Sequence, residues 1–71
     1  MTMTKQREQE VRKSLTDRFI REFTAAEHRE QAQSHYDRET RFWNIGYAQL
    51  AKNERSIKEH HTVAAAVLEG K

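Results

Sequence analysis

Residues 24–50 read TAAEHREQAQSHYDRETRFWNIGYAQL, and the place where this stretch turns decides the fold. It holds three candidate breaks. Thr24-Ala25-Ala26-Glu27 has the form of a capping box, in which a threonine hydroxyl accepts a backbone N–H three residues on and the glutamate answers in return. Ser34 with Asp37 is a second N-cap pair, set in the most polar interior run, residues 27–35. Asn44-Ile45-Gly46 can close a helix through a left-handed glycine.

Outside this stretch the chain has little punctuation. It contains no proline, no cysteine and only two glycines, Gly46 and Gly70, in 71 residues. Good helix formers dominate from Lys5 to Glu69. Acid-first pairs four apart (Glu8–Arg12, Asp17–Arg21, Asp37–Arg41, Glu54–Lys58) each add a few tenths of a kcal/mol to an exposed helix. The fold class is therefore all-α.

Apolar spacing then ranks the breaks. Val11, Leu15, Phe19 and Phe23 recur every four residues, with Ile20 widening the stripe. From Tyr36 to Leu68 a seam alternates in steps of four and three through Thr40, Trp43, Tyr47, Leu50, Glu54, Ile57, His61 and Ala64, polar in places and so not a leucine zipper. Reversal at Gln33–Ser34 sets Phe23 beside Trp43 and Phe19 beside Tyr47. The expected architecture is one domain, residues 1–71: an antiparallel two-helix hairpin with helices over about 5–32 and 35–69. Its core would be Leu15, Phe19, Phe23, Trp43, Tyr47, Leu50 and Ile57. The alternative, a three-helix bundle broken near 25 and 45, ranks second. Its middle helix would have only Ala32, Tyr36, Phe42 and Trp43 to bury.

A second stripe, Phe42, Ile45, Val63 and Val67, is surplus to a hairpin and reads as an interaction surface. Hydrophobic residues make up 35% of the chain and charged residues 34%, a lean core with no disulfide to staple it. Self-association as a homodimer, with two hairpins forming a four-helix assembly, is the expected supplement.

Chemistry has little foothold. No Ser/His/acid set has a diagnostic spacing and no glycine-rich phosphate cradle is present, so no enzyme activity and no cofactor is expected. Room for a substrate pocket is also not expected in so small a bundle. His28 and His35 stand seven apart, about 10 Å along a helix and too far for one ion, so no metal is expected. His28, His35 and His60 read as polar-surface groups. His61 falls on the seam, where burial would favour its neutral form.

The N-terminal run mixes both charge signs, unlike a secretory signal. No apolar run approaches the roughly 20 residues that span a bilayer, so a cytoplasmic protein without a membrane partner is expected. Net charge is only +2, and Arg7, Arg12, Lys13, Arg18 and Arg21 are interleaved with Glu8, Glu10, Asp17 and Glu22. The reading is a small helical adaptor or regulator that binds a protein partner and itself. A nucleic-acid-binding transcriptional regulator is the alternative.

Overall fold

The computed structural model describes residues 3–70 and is all-helical, with no strand among them. Four helices follow one another: α1 (Lys5–Ser14), α2 (Asp17–Arg21), α3 (Ala25–Asn44) and α4 (Ala48–Leu68). The antiparallel pair α3/α4 forms the body, α1 packs on α4, and α2 lies mainly on α4 while touching His28 of α3 through Phe19 and the Ile20 carbonyl. The hairpin expected from the sequence is thus present, but its turn lies elsewhere.

Helix α3 runs unbroken through Gln33 and Ser34. Asp37 does not support a cap at Ser34; it accepts a hydrogen bond from Gln33 Nε2 at 3.0 Å, within the helix. The reversal is at Ile45-Gly46-Tyr47, where Gly46 has φ +85°. The Gly46 N–H bonds Trp43 O and the Tyr47 N–H bonds Phe42 O, at 3.2 and 2.9 Å, a Schellman closure of α3. At the other end, Thr24 and Glu27 form the full capping box. Sequence signals for both ends of α3 are therefore real. A count of apolar side chains places them second, whereas α3 buries His28 and Glu39 by pairing them with α4.

The expected first helix, 5–32, is three pieces. Thr4, Thr16 and Thr24 each open a helix, their hydroxyls accepting the N–H of Arg7, Phe19 and Glu27, each at 3.1 Å. Leu15 and Thr16 are extended and separate α1 from α2. Each threonine competes for the backbone better than a helix-interior residue would, and so starts a new helix.

Moving the turn by about a dozen residues also reassigns the faces. The buried apolar residues are Val11, Ala51, Val63, Ala64 and Ala65, mostly small side chains that let helices approach closely. Of the expected core, Leu15, Phe19 and Phe23 are half-buried, while Trp43, Tyr47, Leu50 and Ile57 are exposed. Of the expected interaction surface, Ile45 is exposed and Phe42 and Val67 are half-buried, but Val63 is buried. It shares a face of α4 with Ser56, Glu59 and His60, the residues that α1 engages: Arg7 hydrogen-bonds Ser56 and Glu59, and Ser14 contacts His60. No helix among the described residues is long and apolar enough to cross a membrane.

Candidate functional site

Helix α3 places His28, His35 and Glu39 on one stripe, spaced seven and four apart, and α4 meets them with His61, Glu54, Arg55 and Lys58. His28 near the start of α3 meets His61 near the end of α4, and Glu39 near the end of α3 meets Arg55 in the first half of α4, the mark of an antiparallel register. The result is a buried polar seam where an apolar one is usual.

At its inner end His28 is wholly buried and His61 nearly so. The two Nδ1 atoms lie 2.9 Å apart, and His28 Nε2 lies 2.9 Å from the backbone carbonyl of Ile20. A carbonyl only accepts, so His28 Nε2 carries a hydrogen and its Nδ1, in the neutral ring, is an acceptor. His61 Nδ1 must then be the donor across the pair. Phe19 and Phe23 flank both imidazoles, with ring centroids 4.9–5.8 Å away. His35 stacks on His61 at 5.8 Å and donates from Nδ1 to Glu54 Oε1 at 3.1 Å. Burial, reinforced by the neighbouring His28, His35 and His60, pushes the His61 pKa down to about 4. The lowering anticipated at His61 is present. The burial of His28 was not legible, because a histidine flanked by Glu27 and Arg29 looks like a surface residue.

Toward the turn the seam ends in a second cluster. Glu39 is 4% exposed, and its Oε2 accepts from Trp43 Nε1 at 2.9 Å and Arg55 Nε at 2.8 Å. Lys58 Nζ stands 3.6 Å from the other oxygen. Burial, the largest single influence, pushes the Glu39 pKa up. The Trp43 and Arg55 hydrogen bonds and the Lys58 and Arg55 charges outweigh it and hold the group below the usual carboxylate range. The Arg55 guanidinium also lies 5.7 Å from the Trp43 ring centroid. Trp43 is therefore pinned at its N–H and on one face, yet 40% exposed. Around it, Ile45 (61%), Tyr47 (57%) and Leu50 (45%) are exposed at the same end of the hairpin. Glu39 carried no signal in the sequence beyond its i,i+4 spacing from His35.

Two further arrangements bear on chemistry. Ser14 Oγ and His60 Nε2 are 2.7 Å apart, and His60 Nδ1 donates to Ser56 O at 2.7 Å, so His60 is oriented as an acceptor toward a hydroxyl. Ser14 Oγ is also 2.8 Å from Val11 O, which competes for its one hydrogen. An open groove of about 650 Å3 between the start of α1, α3 and α4 is lined by Met3, Arg7, Tyr36, Lys58, Glu59 and Thr62 among others. The absence of pocket-sized room expected from chain length is not met. Among the described residues no group of three or more His, Asp or Glu is arranged to hold a metal. No family model, no curated protein and no solved structure matches the chain.

Proposed function

We propose that this chain is a non-enzymatic protein-interaction module that self-associates through the end of its hairpin, and that this surface serves as its adaptor or regulatory contact. The observation that carries the reading is Trp43, fixed by Glu39 and Arg55 while its remaining surface stays open among Ile45, Tyr47 and Leu50. An aromatic side chain already held in one orientation loses little conformational freedom on docking, and tryptophan and tyrosine are favoured anchors of interfaces. The contact shifts from the expected stripe: Ile45 remains in it, and Val63, covered by α1, leaves it.

Charge favours a protein partner over nucleic acid. Of the basic residues that could line a phosphate backbone, Arg7 is matched to Glu59 and Glu10 and Arg12 to Glu8, and on α4 Arg55 and Lys58 are matched to Glu39, so these four of the thirteen cations already have carboxylates. Phosphate affinity needs cations free to replace counterions.

Sedimentation equilibrium of wild type and of an Ile45→Glu/Leu50→Glu variant tests the reading. Wild type should be dimeric at tens of micromolar and the variant monomeric and folded, since both side chains already face solvent in the single chain. A monomeric wild type, or a variant that still dimerises, overturns it.

A further inference from the structure

We propose that the His28–His61 pair is an acid-operated latch, which holds the N-terminal arm (residues 3–23) on the hairpin and releases it when the pair takes up a proton. The arm has no packing against α3 beyond this point; α1 and α2 rest on α4. Its C-terminal attachment consists of the Ile20 carbonyl, which accepts from His28 Nε2, and the Phe19 and Phe23 rings against both imidazoles.

The proton count makes this attachment conditional. Two neutral imidazoles bring two hydrogens, and both are in use: one on His28 Nε2 toward Ile20 O, one on the 2.9 Å line between the Nδ1 atoms. A third proton has two places to go. On His28 Nδ1 it sets two N–H groups head to head and breaks the pair. On His61 Nε2, which makes no hydrogen bond among the described residues, it places a positive charge on a side chain only 5% exposed, packed against the Phe19 and Phe23 rings. Either way, the strain is relieved by opening the site on the α2 side, where the contacts are one carbonyl and two half-buried rings.

The charges around the pair do not offset this. From α3, His35 stacks on His61, and the Glu27 carboxylate beside His28 is an opposite charge whose main partner is the Thr24 backbone N–H, with His28 its weakest influence. From α4, His60 adds a like charge when protonated, and Glu54 is separated by His35, which it binds together with Arg38. From α2 comes only the Ile20 carbonyl and Phe19; the charged side chains Asp17, Arg18 and Arg21 are exposed and form no ion pair with the cluster. From α1, Ser14 reaches His60 and not the pair. Release of the arm uncovers the α4 face bearing Val63, so proton uptake would convert a covered apolar surface into an accessible one.

Amide hydrogen exchange followed by NMR at pH 7.5 and 5.0, corrected for intrinsic rates, tests the latch, with the His61 Cε1–H titration recorded on the same samples. A His61 that regains its ordinary pKa of 6.5 on opening, from about 4 when closed, lowers the protection of residues 5–21 by up to about thirtyfold at the acid pH. Amides of α3 and α4 beyond the cluster, which exchange only through unfolding of the whole chain, should remain better protected than the arm at both pH values. A His61→Gln variant, which can still donate to His28 Nδ1 but does not titrate, should keep the arm protected at both pH values; His35→Gln and His60→Gln should leave the wild-type response in place. Should His61→Gln not fold, the wild-type titration alone decides: the midpoint of the arm shifts must coincide with that of His61. Arm protection that is unchanged at acid pH, that is no lower than the hairpin's at either pH, or that follows His35 or His60 instead, overturns the proposal.

Discussion

Inserting two glycines after Gln33 should unfold this protein, whereas the same insertion after Gly46 should leave it folded, at a cost of about 1.5–2.5 kcal/mol. Two residues added within α3 rotate everything C-terminal to them by about 200° relative to everything N-terminal. His28 then no longer shares a stripe with His35 and Glu39, so the His28–His61 pair and the Glu39 cluster cannot form together. Losing the partners of a buried charge such as Glu39 costs about 3–5 kcal/mol. The two glycines in a helix interior add about 1 kcal/mol each. The sum, on the order of 5–7 kcal/mol, equals or exceeds the lower range of stability of a small domain. In the turn, lengthening a three-residue connection to five costs about 0.5 kcal/mol in closure entropy, plus roughly 1–2 kcal/mol for disturbing the Schellman hydrogen bonds. Urea titrations followed by far-UV circular dichroism measure both. If the insertion after Gln33 were tolerated and the one after Gly46 were not, the assignment of the turn and the paired polar seam would both be refuted.

Acid should weaken the fold through His61. Its folded-state pKa is depressed to about 4, so the neutral form's contribution is complete above the unfolded value near 6.5 and is lost as pH falls below it, by about 1.4 kcal/mol at pH 5.5. Thermal melts at pH 7.5 and 5.5 should show this in wild type and not in His61→Leu; equal acid sensitivity in both would remove His61 from the account. Trp43→Ala should cost only about 1–2 kcal/mol, because the side chain is 40% exposed and one hydrogen bond to Glu39 is lost while Arg55 retains the carboxylate. It should weaken self-association more than stability, which parallel denaturation and sedimentation measurements would reveal; a loss of 3–5 kcal/mol in the monomer would instead mean that Trp43 is core.

What the sequence by itself determined is the helical class and the marks that bound its elements. Without proline and with two glycines, the chain had no alternative to helix, and Thr24-x-x-Glu27 and Gly46 act through hydrogen bonds within a few residues of themselves. Thr4 and Thr16 work by the same local mechanism, but with no glutamate three residues on to mark them as boxes they did not break the expected helix over 5–32. His61 was legible as a seam residue because periodicity reports a face. Which of the possible turns is used was decided only by tertiary structure. The choice depends on whether a helix as polar as α3 can be buried, and that is a property of pairs: His28 and Glu39 are tolerable inside only because His61, Ile20 O, Trp43, Arg55 and Lys58 stand where their hydrogen bonds and charges end. Counting apolar residues along one chain segment cannot see partners some 16 to 33 residues away. For the same reason Trp43, Tyr47 and Leu50 looked like core and are surface: an apolar periodicity identifies a stripe, but only the neighbouring helix decides whether that stripe is covered.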